Sequence, residues 1–113
     1  MKEYQVFGII CKVGKNAEEN WKLLDESNDN NLFFHLTYFP SCYVILQCDE
    51  NIVYNENYKD ILKKCSEICK ENTKFKKLPN LRVDYTFCNN IEKGNNIGEI
   101  FYKSLRKTKE IIV

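Results

Sequence analysis

The 113 residues contain one histidine, four glycines and six cysteines with no Cys-x-x-Cys pair, and no apolar run approaches the ~20 residues that a membrane helix needs. Each absence removes a class of function. Without such a run, no membrane insertion is expected. The start, MKEYQVFGII, carries an acid where a secretory leader has its basic region, so the chain reads as intracellular and cytoplasmic. Cys11, Cys42, Cys48, Cys65, Cys69 and Cys88 lack zinc-ligand spacing, so no metal site is expected and they read as reduced, small apolar residues. A lone histidine has no second histidine to help hold a metal, and neither a nucleophile–base pair nor a phosphate loop is present. The chain is read as a non-enzyme without a cofactor.

What is present suits a folded domain. An apolar fraction of 43% supports a core and a charged fraction of 29% a solvated surface, and one domain spanning residues 1–113 is expected. The formal charge of +1 hides an asymmetry: residues 1–60 carry five Lys/Arg against ten Asp/Glu, and residues 61–113 carry twelve against six. A basic region on a near-neutral protein can hold a polyanion locally, because salt screens its field within about 10 Å. Fourteen asparagines, many adjacent to one another, read mostly as loop composition.

Along the chain, Tyr4–Val13 reads as one strand interrupted by a bulge at Gly8. Asn16, with Glu19 three residues on, caps a short helix that ends by Ser27 and buries Ala17, Trp21 and Leu24. Leu32–Phe39 and Tyr43–Cys48 alternate as strands around Pro40-Ser41 and are expected to pair. From Glu56 to about Thr73, Tyr58, Ile61, Leu62, Cys65, Ile68 and Cys69 recur at helical spacing. The opposite helix face offers Lys59, Lys63, Lys64 and Lys70, either a solvated surface or a binding face. Leu81–Cys88 alternates apolar residues against Arg82, Asp84, Thr86 and Cys88, a polar face that is a candidate functional surface. A loop follows over Asn89–Asn96, and Ile97–Lys103 and Lys109–Val113 are expected to close the sheet. The fold class is therefore α+β: a mostly antiparallel sheet of about six strands with two helices packed on it.

The clearest chemical signal is Gly14-Lys15-Asn16. Glycine permits close backbone approach, the first helical amides point outward, and Lys15 adds a charge, which together suit one phosphate. An ordinary capped strand-to-helix turn has the same composition, and Glu18 and Glu19 compete with an anion for that positive end. His35 likewise admits a structural, hydrogen-bonded reading and a base- or phosphate-contacting one.

The order GKN, LFFH, a proline turn, an amphipathic helix and RVDYT resembles the NFACT RNA-binding domain family over nearly the whole chain. The family's glycine–basic–asparagine turn corresponds to Gly14, Lys15 and Asn16, with its further helical asparagine at Asn20. Its aromatic-histidine strand corresponds to Asn31–His35, its proline turn to Pro40–Val44 and its valine-aspartate-tyrosine-threonine strand to Val83–Thr86. Phe33 replaces the family tryptophan and Tyr43 a family histidine. The chain is most similar to the small stand-alone branch, of the coiled-coil domain-containing protein 25 type; that branch's coiled-coil tail is not among these residues, so the chain reads either as a minimal member or as one cut after Val113.

The resemblance implies a nucleic-acid-binding domain, contacting RNA (tRNA or ribosomal RNA) or another polyanion through backbone and shape, with a link to ribosome-associated quality control. Gly14, Lys15, Asn16 and His35 would centre the site, and Arg82, Lys93 and Lys103 would lie at its periphery. A module docking on a protein complex through exposed aromatics such as Tyr38, Phe39, Tyr43 and Tyr54 is the alternative.

Overall fold

Phe7 and Gly8 break the expected first strand in two. Their φ angles of 51° and 80° lie in the left-handed region, as both central residues of a type I′ turn require. The chain reverses there, and β1 (Lys2–Val6) pairs antiparallel with β2 (Ile9–Val13), Val6 opposite Ile9. What reads as a bulge in one strand is a hairpin, because a glycine after an aromatic satisfies either pattern locally.

The computed structural model describes residues 1–113. After β2 come α1 (Ala17–Glu26), β3 (Leu32–Leu36), β4 (Val44–Leu46), a 3₁₀ turn at Glu50–Tyr54, α2 (Tyr58–Glu71), β5 (Arg82–Phe87), β6 (Ile91–Lys93), β7 (Ile100–Tyr102) and β8 (Lys109–Ile112). Six strands form one antiparallel sheet in the order β1-β2-β4-β3-β5-β8, with β3 paired to β4 and β5. The fold is α+β. No helix is long and apolar enough to cross a membrane.

Strand alternation divides the interior into two layers. Leu32, Phe34 and Leu36 of β3 join Cys11, Val13, Val44 and Val83 beneath α2, whose Ile61, Leu62, Cys65, Ile68 and Cys69 are all buried. The helical spacing therefore named the right face of α2. On the other side Phe33, Tyr43 and Ile45 pack with Leu23 of α1 and Ile91 of β6. With both faces covered, the run Leu32-Phe33-Phe34 is buried throughout, so its second face is core as much as its first.

Two expectations are corrected on this second side. Residues Ile91–Lys93, within the expected loop, pair with Ile100–Tyr102 in a separate two-stranded hairpin. Ile97–Lys103 thus does not extend the main sheet. In α1, Asn20 and Leu23 are the buried residues, while Ala17 is exposed and Trp21 half-buried, because the hairpin approaches the helix from the Trp21 side. Trp21 Nε1–H donates to the carbonyl of Glu99 at 3.1 Å, and Lys93 lies 5.0 Å from the indole centroid while pairing with Asp25.

Candidate functional site

Between α1, the end of β3 and the β6–β7 hairpin lies a cleft of about 510 Å³. One wall is the start of α1. Asn16 Oδ1 accepts the Glu19 N–H at 2.9 Å, and Glu19 Oε1 accepts the Lys15 N–H at 3.1 Å. The amino terminus of Met1 stands 3.3 Å from the same carboxylate oxygen. This closed cap leaves the amides of Ala17 and Glu18 without acceptors inside the helix. The Lys15 amide holds Glu19 below the ordinary carboxylate range, its largest influence. Lys15 is exposed and makes no ion pair.

His35, Tyr43 and Tyr102 line the floor, with Phe33 fully buried behind them. Phe33 sits 6.1 Å from the His35 ring, 5.0 Å from Tyr43 and 6.3 Å from Tyr102, and His35 meets Tyr43 edge-on at 5.3 Å. The Tyr43 hydroxyl donates to the Gly98 carbonyl, tying β4 to the hairpin loop. Beside the rings, Asp84 lies opposite His35 across the β3–β5 ladder. Thr37 Oγ1 donates to Asp84 Oδ1 at 2.9 Å and the Tyr102 hydroxyl donates to Oδ2 at 3.1 Å.

Burial sets the protonation of this floor. It pushes His35 down to about 4, a weak contact with the Leu36 backbone only partly opposing it, so the imidazole is neutral at pH 7. No protein group makes a well-formed hydrogen bond to its ring nitrogens. Burial also raises Tyr43 to about 12 and raises Tyr102, keeping both phenols protonated. Burial raises Asp84 as well, against the two hydroxyls that favour its charged form. The cleft therefore carries one cation, Lys15, a neutral imidazole within, the hydrogen-bond-accepting carboxyl group of Asp84 at its base and a second acid, Glu99.

Of the candidate residues, Lys15, Asn16 and His35 all line this cleft. Gly14 is not part of the wall. A β-carbon at residue 14 would overlap Asn20 Oδ1 and stand 3.0 Å from the Asn20 nitrogen, so the glycine makes room for an asparagine rather than for a ligand. The three peripheral candidates do not line the cleft. Arg82 is drawn to Glu110 at 3.1 Å on the neighbouring strand, and Lys93 is held by Asp25 and Trp21. Lys103 is exposed beyond β7, its backbone N–H bonded to the Asn90 carbonyl at 2.9 Å. Nor does the basic second half gather at the cleft, since the α2 lysines occupy the layer on the opposite face of the sheet.

Asp84, Thr37 and Tyr102 also line the cleft, and the sequence reading does not name them as site residues. The polar alternation of β5 was the available signal, but that face is floor rather than open surface: Asp84 and Thr86 are both buried. No three His, Cys, Asp or Glu side chains converge to hold a metal.

No protein-family model matches the chain. A coiled-coil domain-containing protein 25 homolog of Dictyostelium discoideum is 26% identical over 105 residues, which cover 90% of this chain and 51% of that protein. The chain thus spans about half the length of this relative. The C-terminal part of the fibronectin/fibrinogen-binding protein of Streptococcus suis superposes with a TM-score of 0.83 over 99% of this chain and 44% of that one. At 20% sequence identity, this likeness establishes a shared fold.

Proposed function

We propose that the chain is a small, non-enzymatic nucleic-acid-binding domain that takes RNA through its backbone and shape. The observation that carries this reading is the placement of Lys15 and the first residues of α1, Asn16 and Ala17, on the lining of a cleft that His35, Tyr43 and Tyr102 share. The ordered motifs shared with the NFACT RNA-binding family support it, as does the distant similarity to a coiled-coil domain-containing protein 25 homolog. A tRNA or ribosomal RNA ligand, and a cytoplasmic role near ribosome quality control, follow from the same resemblance.

Titrating tRNA at 50 to 200 mM salt tests the reading. Lys15 is the one basic residue lining the cleft, so only one or two phosphate contacts are expected there, with a log–log salt slope of roughly −1 to −2. Absence of binding at low salt overturns the reading. A slope demanding about six contacts transfers it from the cleft to the lysine face of α2.

A docking module for another protein is the second reading. Tyr54, Leu105 and Tyr38 are 86%, 79% and 71% exposed, and the protein of similar fold is named for binding fibronectin and fibrinogen. Partners that survive nuclease treatment during purification favour docking; partners lost with the nucleic acid favour the first reading.

A further inference from the structure

We propose that Cys42 and Cys69 form a peroxide-responsive thiol pair, in which Cys42 on the lining of the cleft is oxidised first and Cys69 then closes a disulfide with it. The bridge ties the β3–β4 connection to the last turn of α2. It stands apart from the nucleic-acid reading above.

All six cysteines are free thiols. Cys65 and Cys69 lie one turn apart on the face of α2 that meets the sheet, and each touches a thiol from the layer beneath it. Cys65 contacts Cys11 of β2, and Cys69 contacts Cys42, two residues before β4. Cys48 turns instead to the Asn30 carbonyl at 3.7 Å, and Cys88 to Ser27. Access then separates the two pairs. Cys11 and Cys65 are 0% exposed within the core, whereas Cys42 is 7% exposed and lines the cleft beside Pro40 and Ser41. The cleft gives a small oxidant a route to Cys42 that the inner pair lacks.

The segment carrying Cys42 is fixed over the helix end. Cys42 Sγ lies 3.7 Å from the Cys69 carbonyl oxygen and Ser41 Oγ 4.0 Å from Cys69 Sγ, while Ser41 Oγ accepts the Leu36 N–H at 3.1 Å. Contact with the Cys69 thiol lowers Cys42 below the ordinary thiol range against the opposing effect of burial, and the same contact, with burial, raises Cys69. Ionisation therefore falls on the accessible sulfur, and the thiolate is the nucleophile. With hydrogen peroxide, the Cys42 thiolate attacks one oxygen: an S–O bond forms, the O–O bond breaks, and the departing hydroxide takes up the proton that Cys42 released. The Cys69 sulfur next attacks the Cys42 sulfenic acid. The S–S bond forms, the S–O bond breaks, and hydroxide leaves with the Cys69 proton as water. Two thiols have then lost two hydrogens and two electrons, and one peroxide has become two waters. Because Thr37, Pro40, Ser41 and Cys42 all line the cleft, the bridge anchors that wall to α2.

Treating the folded, reduced chain with hydrogen peroxide and mapping its thiols by mass spectrometry tests the proposal. Remaining thiols are blocked with iodoacetamide after denaturation, and any bridge is then reduced and labelled with N-ethylmaleimide. The chain is expected to become lighter by two hydrogens, with the second label on Cys42 and Cys69 alone. Cys42→Ser should abolish the mass loss, and Cys69→Ser should leave Cys42 as a sulfenic acid that dimedone captures. A treated chain that keeps all six thiols overturns the proposal. So does a bridge that uses Cys11 and Cys65, Cys48 or Cys88, a linkage between two chains, or a Cys42 sulfinic acid formed with no bridge. The mapping uses the unaltered chain, so it decides the matter even where a substituted protein fails to fold.

Discussion

Gly14 and Asn20 are a matched pair. The space left by the missing β-carbon is filled by Asn20 Oδ1, which accepts the buried N–H of Tyr43 at 3.1 Å, while the Gly14 N–H donates to the Tyr43 carbonyl at 3.0 Å. Gly14→Ala displaces the asparagine and strands a buried donor, so it is expected to cost about 2 kcal/mol. Asn20→Ala should cost a similar amount. In a urea-unfolding double-mutant cycle the pair should be clearly less than additive, because both changes break the same bond to Tyr43.

Asn90 has a comparable role under the hairpin. Its Nδ2 donates to the Ser104 carbonyl at 2.9 Å, with Thr108 Oγ1 and Thr86 Oγ1 at 3.1 and 3.2 Å, and its Oδ1 accepts the Ser104 N–H at 2.8 Å. Asn90→Ala leaves several of these groups unpaired, for an expected loss of about 2 to 3 kcal/mol. A midpoint shift of similar size in Asn89→Ala, whose side chain is exposed, would contradict this assignment.

These two asparagines show where reading the chain residue by residue stops. The α2 stripe from Tyr58 to Cys69 and the alternation of β3 are local periodicities, and both could be read directly. Asn90, by contrast, sits in a run of asparagines that has the composition of a loop. Its burial depends on Ser104 and Thr108 returning over it, a contact that no local pattern encodes. Lys15, Asn16 and His35 are legible as candidates because short motifs carry them. Asp84 was seen as part of a polar strand face, but its place beneath Tyr102 follows from the hairpin leaving the main sheet.

Phe7 occupies a position that suits another residue. Its φ of 51° is unfavourable for an aromatic side chain, and the side chain is 54% exposed, so little packing offsets the strain. Asparagine is preferred at the first central position of such a turn when glycine follows. Phe7→Asn is therefore expected to stabilise the chain by about 0.5 kcal/mol and to raise the melting temperature by about 3 °C. A lowered melting temperature would mean that Phe7 packing outweighs its backbone strain.

Basic residues should separate by position when RNA binding is measured. Lys15→Glu places an acid at the cleft mouth beside Glu18 and Glu19, and an affinity loss of about tenfold or more is expected. Arg82→Ala and Lys103→Ala should stay within about twofold, since Arg82 is engaged by Glu110 and neither residue lines the cleft. Lys93→Ala should likewise spare binding, while loosening the hairpin from Trp21 enough to alter the fluorescence of this single tryptophan. Loss of affinity in Arg82→Ala equal to that in Lys15→Glu would relocate the interface to β5 and β8.

His35 should make stability depend on pH in a defined direction. Its folded value of about 4 lies below the usual 6.5, so between these values the unfolded chain binds the proton more readily than the folded one. Stability is then complete above about pH 6.5 and falls as the pH drops toward 4, by on the order of 3 kcal/mol for this group alone. Asp84 works against it, because a raised carboxyl favours the folded state on the acid side of its titration. Denaturant unfolding at pH 7, 6 and 5 measures the slope, and His35→Gln should flatten it by removing the titrating ring while keeping a polar side chain. A slope unchanged by that substitution would show that the imidazole is hydrated in the folded chain, and the cleft would then lack the neutral imidazole assigned to it.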